Sequence, residues 1–169
     1  MAGKACHAFA STTRFGLTQA LGAMGKVLVD SCVFVNAFDP DSHTHAESLA
    51  LLEYLRAKGR PITMPAHAWF EVQCSLQKLT DEGRFVGPAF QGQMNYPVEL
   101  IYIDKEFILR YRMADIPYIK AGDHIFLAIA KLDGLPLITS DAKMISVAKQ
   151  CGVRVFHTKE LVEIPADGT

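Results

Sequence analysis

The stretch Lys26-Val27-Leu28-Val29-Asp30-Ser31 constrains this chain more than any other. Three consecutive aliphatic residues without polar alternation describe a short strand buried on both faces, and such strands belong to the middle of parallel sheets covered by helices. The acid that closes the run then stands where the backbone leaves the sheet. Further acids occupy comparable junctions downstream, at Glu71, Asp123 and Asp141.

The rest of the chain alternates strand and helix signals. Val33 to Phe38 continues apolar and begins a helix, which the turn formers Asp39-Pro40-Asp41 interrupt. Leu49, Leu52 and Leu55 mark one face of a helix over 43 to 58, with Gly59 as its stop. Pro61 to Met64 reads as a strand, and Pro65 opens a helix from about Ala66 to Leu79. Residues 83 to 96 form a Gly-, Gln- and Pro-containing connection. Val98 to Ile103 is a third strand, followed by a helix from Glu106 to about Met113 and a turn around Pro117. Ile125, Ala128, Ile129 and Leu132 give the apolar face of a helix from Ala121, stopped by Asp133-Gly134. Leu135 to Thr139 and Val153 to Phe156 are the last strands, separated by a helix carrying Met144, Val147 and Ala148 that Gly152 caps.

Strands alternating with helices imply right-handed crossovers. The expectation is a single α/β domain over 26–158, with a mainly parallel central sheet of about five strands and helices on both faces. Residues 1–25, which contain no Asp or Glu, read as an N-terminal extension upstream of Met24, disordered or mis-started, with a short docked helix at 15–23 as the alternative. Residues 159–169 read as a fraying tail.

Composition narrows the function classes. At 169 residues the chain suits one domain, and no apolar run approaches the roughly 20 residues of a membrane span. Cys6, Cys32, Cys74 and Cys151 show no zinc or redox spacing, so reduced thiols in a cytoplasmic protein are expected. A formal net charge of −1 advertises no global nucleic-acid field, so any phosphate partner must be held locally. No G-x-G-x-x-G follows the first strand, which argues against a dinucleotide fold. Cys32 stands where a haloacid-dehalogenase-like phosphatase needs a second Asp, and the apolar run before Asp30 does not suit a phosphoacceptor receiver.

In parallel sheets of this kind ligands bind outside the carboxyl ends of the strands. Asp30, Glu71, Asp123 and Asp141 can all reach that rim. Carboxylates gathered there repel one another unless a cation neutralises them, and hard oxygen donors suit Mg2+ or Mn2+. The cluster Asp39, Asp41, His43 and His45 is explained by turn and capping chemistry instead. Trp69 reads as a core or dimer contact, and Lys120 and Lys143 as candidate contacts to substrate phosphates.

Val29-Asp30-Ser31, then Val33 to Asn36, a Glu in the helix after the second strand, and Ala121-Gly122-Asp123 leading to Leu137-Ile138-Thr139-Ser140-Asp141 together resemble a PIN domain, over about residues 26–156. The compact length is most similar to VapC-type toxins, the ribonuclease half of toxin-antitoxin pairs. The resemblance implies that Asp30, Glu71, Asp123 and Asp141 are the metal-site acids, supported by Thr139, Ser31 and Asn36. It further implies RNA as substrate, an antitoxin as partner, and a homodimer. Two residues after the first acid the family has Ser or Asn where this chain has Cys32. A thiol is a weak hydrogen-bonding group, so weaker support from that position is expected. The alternative reading is an inactive PIN scaffold that binds protein or RNA.

Overall fold

The computed structural model describes residues 25–85, 96–112 and 114–161. The expected N-terminal extension with its candidate helix at 15–23, most of the connection over 83–96, and the end of the tail lie outside the described residues.

At the centre is β1 (Val27–Val29), all three residues of which are fully buried. It pairs in parallel with β2 (Ile62–Pro65) on one side and β4 (Leu137–Thr139) on the other. Outside these lie β3 (Val98–Ile101), parallel to β2, and β5 (Val155–His157), parallel to β4. The five-stranded sheet thus runs β3-β2-β1-β4-β5, all parallel. The inner strands are buried throughout, whereas β3 and β5 are half-exposed edges. This burial is why the inner strands read as unbroken apolar runs.

The described helices are α1 (Ser31–Phe38), α2 (His45–Ala57), α3 (Ala66–Asp81), α4 (Lys105–Tyr111), α5 (Ala121–Asp133), α6 (Ala142–Gln150) and α7 (Thr158–Leu161). Chain order steps away from β1 through β2 to β3, then returns to the far side of β1 for β4 and β5. With right-handed crossovers, that reversal places the helices of the two halves on opposite faces of the sheet. The core they share is built on Leu28, Phe34, Leu51, Leu55, Leu127 and Ile129, each fully buried.

Several boundaries differ from the sequence expectation, each for a visible reason. Helix α1 begins at Ser31 rather than Val33, directly after Asp30 adopts an extended conformation. Pro65 ends β2 and doubles as the cap of α3, a position where its missing N–H costs nothing. Strand β3 stops at Ile101, because β2 offers four residues to pair with, and Tyr102 and Ile103 run on exposed. Helix α7 buries Leu161, so ordered packing continues past residue 158. Gly134 ends α5 in the left-handed conformation, φ 66°, where an L side chain is strained. Among the described residues, no helix is long and apolar enough to cross a membrane.

Candidate active site

The reversal of strand order lies between β1 and β4, and in open α/β sheets ligands bind in the crevice at that point. Asp30 follows β1 and Thr139 ends β4, side by side because Val29 is in register with Ile138. The Asp30 amide donates to Ile138 O at 3.0 Å, which carries the ladder one residue past the strand. Asp30 is almost completely buried, 5% exposed, and Thr139 is 0% exposed.

A carboxylate this buried needs donors. The Thr139 hydroxyl donates to Asp30 Oδ2 at 2.6 Å, and the Cys32 thiol donates to the same oxygen at 3.1 Å. Ser31 Oγ approaches Oδ1 at 3.3 Å and also reaches Glu71 Oε2 at 3.5 Å. Burial, followed by the neighbouring Asp30 carboxylate, pushes the Cys32 thiol pKa well above its ordinary value, so the group stays protonated and can donate. Weaker support at this position was the sequence expectation, yet Cys32 occupies it with directed contacts.

Asp30 also stands at the N-cap of α1 without capping it: its side chain accepts from the Ser31 and Cys32 side chains but from no backbone amide of the first turn. The contrast with two other aspartates is direct. Asp104 caps α4 by accepting from the Phe107 amide at 2.8 Å, and Asp141 caps α6 by accepting from the Met144 amide at 2.8 Å. Asp141 therefore has one oxygen committed to its helix and one left over. Its own amide donates to Thr139 Oγ1 at 3.0 Å, which ties it to the Asp30 cluster.

Asp123 lies in the first turn of α5, where the helix dipole favours an anion. Burial raises its pKa, Lys120 opposes the shift, and the charges of Asp141 and Asp30 add to it. Lys120 Nζ lies 3.4 Å from Asp123 Oδ1, and the Lys120 pKa is raised by Asp123 first, then by Asp141 and Asp30. Three aspartates and one lysine thus share one electrostatic field. Glu71 joins through Ser31 from the exposed side of α3.

Two expected site residues are placed differently. Asn36 donates its amide to Thr44 Oγ1 at 2.9 Å and accepts from His45 Nδ1 through its carbonyl, at 3.1 Å, on the α1–α2 seam. Lys143 is exposed on the first turn of α6. The Asp39 and Asp41 carboxylates take Arg84, and Asp41 N donates to Asp39 Oδ1, which is turn chemistry as expected. Trp69 packs edge-on against Phe34, ring centroids 5.5 Å apart, as a core contact. His67 was not singled out by sequence. Both of its ring nitrogens are buried without a partner, its ring faces Phe126, and a Cβ on Gly122 would lie 3.8 Å from Nε2. It precedes Glu71 by four residues on α3, a spacing that puts both on one helix face and was legible in the sequence.

The donors around the rim are carboxylate and hydroxyl oxygens, the class that suits a hard divalent cation. A lysine ammonium already answers to three of the acids, which marks the rim as a place that draws positive charge. Among the described residues, no three His, Cys, Asp or Glu side chains stand close enough to hold an ion jointly. The chemistry of the donors suits such an ion, but as placed their side chains do not converge on one point.

The family model of the PIN domain matches residues 27–150. No curated protein sequence matches the chain. Among solved structures, VapBC2 from Rickettsia felis, bound to a DNA fragment from its promoter, is similar with a TM-score of 0.51 at 14% identity, over 78% of this chain and 98% of that one. VapC20 from Mycobacterium tuberculosis, a Sarcin-Ricin loop cleaving toxin, gives 0.47 at 13% identity, over 71% and 93%. A PilT N-terminus domain protein from Sulfolobus solfataricus gives 0.46 at 13%, over 85% and 96%. At such identities the likeness is one of fold.

Proposed function

The chain belongs to the PIN domain family, and from that premise we propose that it is a magnesium- or manganese-dependent endoribonuclease, the toxin of a toxin-antitoxin pair. The observation that carries this reading is Asp30. A buried carboxylate that forgoes capping its own helix, is held by two donors on one oxygen, and adds its charge to the field at Asp123 is positioned for something other than structure.

Asp30, Asp123 and Asp141, with Glu71 directly or through water, would hold the ion. When bound, a divalent ion supplies an activated water and neutralises charge on the phosphoryl oxygens. The protein's own side chains do the remaining work. Thr139 and Cys32 fix the orientation of Asp30, and Lys120 meets a phosphate oxygen when substrate displaces it from Asp123. Lys143 adds a second, solvated contact. Single-stranded or looped RNA suits an open rim, because its backbone and bases are accessible. The likeness to VapBC2 supports an antitoxin partner, and a homodimer in the cytoplasm completes the proposal.

The test is cleavage of RNA by purified protein with added Mn2+. Activity should vanish in chelator and in Asp30→Asn and Asp123→Asn variants that still melt cooperatively. Cleavage unchanged in both variants would sink the site assignment. Inactivity with every divalent ion, together with tight binding to a protein or RNA, would instead favour the inactive scaffold, a reading to which the spacing of the acids lends some weight.

A further inference from the structure

The two carboxylate oxygens of Asp30 are not equivalent. Oδ2 accepts from Thr139 Oγ1 at 2.6 Å and from Cys32 Sγ at 3.1 Å, whereas Oδ1 has only Ser31 Oγ, at 3.3 Å. Cys32 is itself seated, since the Ser140 amide donates to its sulfur at 3.4 Å and Thr139 Oγ1 lies 3.6 Å away. The sulfur therefore stands among a carboxylate from the residue after β1, a hydroxyl from the end of β4 and an amide from the residue after β4. A cysteine that only filled space would behave as a small hydrophobe and would have no need of three polar neighbours.

We propose that Cys32 is a positioning residue: its thiol, acting with the Thr139 hydroxyl, pins Oδ2 of Asp30 and reserves Oδ1 for a divalent cation. The cation half of this inference rests on the function proposed above. Geometry explains why sulfur serves here. The long C–S bond lets the second residue of α1 reach Oδ2 while the helix starts without an intervening loop residue. A thiol is a weak donor, so it orients the carboxylate while withdrawing little of the charge the cation needs. Substituting Cys for the family's Ser or Asn would then preserve the role of the position.

The experiment compares wild type, Cys32→Ser and Cys32→Ala as full chains. Mn2+ alone is titrated and followed by electron paramagnetic resonance, with thermal melts in chelator alongside. Cys32→Ala should lower Mn2+ affinity about fivefold, the size of one modest hydrogen bond, and Cys32→Ser should return it to within about twofold of wild type. Raman difference spectra supply a readout that needs no metal. The S–H stretch assigned by subtracting Cys32→Ser from wild type should shift towards its free-thiol position in Asp30→Ala.

A lower melting temperature for Cys32→Ala with unchanged Mn2+ affinity would make the residue a space filler and overturn the proposal. An S–H band that ignores Asp30→Ala would overturn it too. Loss of Mn2+ affinity in Cys32→Ala without RNA cleavage by the wild type would leave this inference standing and remove the ribonuclease reading. Absence of any Mn2+ binding by the wild type would sink both.

Discussion

Thr139→Val tests the junction between fold and site. The substitution keeps the β-branched shape at a fully buried strand end and removes only the hydroxyl. Two short bonds go with it, the donation to Asp30 Oδ2 at 2.6 Å and the acceptance from the Asp141 amide at 3.0 Å, besides the longer contact to Cys32 Sγ at 3.6 Å. The first is to a charged group and contributes about 1.5–3 kcal/mol; an unpaired amide costs about 1–3 kcal/mol, at the low end here because Asp141 is half-buried. The added methyl recovers up to about 0.8 kcal/mol. A net loss of about 2–3 kcal/mol follows, a large share of an ordinary domain stability of about 5–15 kcal/mol. Urea titration in chelator, with thermal melts, measures it, and for a chain of this size the melting temperature should fall by roughly 5–10 °C. Thr139→Ser, which keeps the hydroxyl, should lose less. In an Asp30→Ala background the cost of Thr139→Val should shrink by about 1 kcal/mol or more, since its charged partner is gone. A Thr139→Val protein as stable as wild type, or costs that simply add in the double variant, would refute the hydrogen-bond reasoning.

Other outcomes can be stated briefly. Because the folded-state pKa of Asp123 is raised, its protonated form favours folding fully below the unfolded pKa of about 3.9, and that contribution is lost as pH rises through the folded value. Asp123→Asn should therefore have the higher urea midpoint at pH 7, with the gap closing below about pH 4; a less stable variant at pH 7 would contradict the sign. Saturating Mn2+ should raise the thermal midpoint, by about 2.7 kcal/mol of added stability at a hundredfold excess over Kd, and Asp30→Asn should abolish that rise in the same melt. Leu28→Ala, in the fully buried centre of β1, should cost about 2–5 kcal/mol by urea titration. Tyr118→Ala, at a side chain 94% exposed, should move stability by less than about 0.5 kcal/mol.

The legible parts of this molecule are those where burial and chemistry coincide. Val27 to Val29 reads as a central strand because both faces are covered, Leu135 to Thr139 reads as a strand of which Leu137 to Thr139 pairs, and Gly134 marks the end of α5 because only its conformation fits there. The edge was less readable: nothing in Val98 to Ile103 reveals that its partner strand has only four residues to offer. Local order also hid the face of α1. Asn36 shares that helix with Cys32, yet its amide turns to Thr44 while the thiol turns to Asp30, a choice made by the packing of α2. Asp30, Asp123 and Asp141 were recognisable as acids of one rim from their positions after strands or at helix starts. The role of Lys120 as the partner of Asp123 was not anticipated, because a lysine three residues away is usually solvated. The orphaned His67 ring also depends on the approach of α5, which no local pattern encodes.

Strand β1 ends at Val29 and α1 begins at Ser31, so one residue makes the whole connection. That leaves no slack for insertion. One extra residue would turn every later position of α1 by about 100° around its axis, swinging Val33, Phe34, Ala37 and Phe38 off the core as it carried Cys32 away from Asp30. A length change at this joint cannot impair the acid and spare the fold, or the reverse. Drift in chain length is thus excluded here by collapse of the domain, while the exposed turn at Pro40 and Asp41 has room to absorb it.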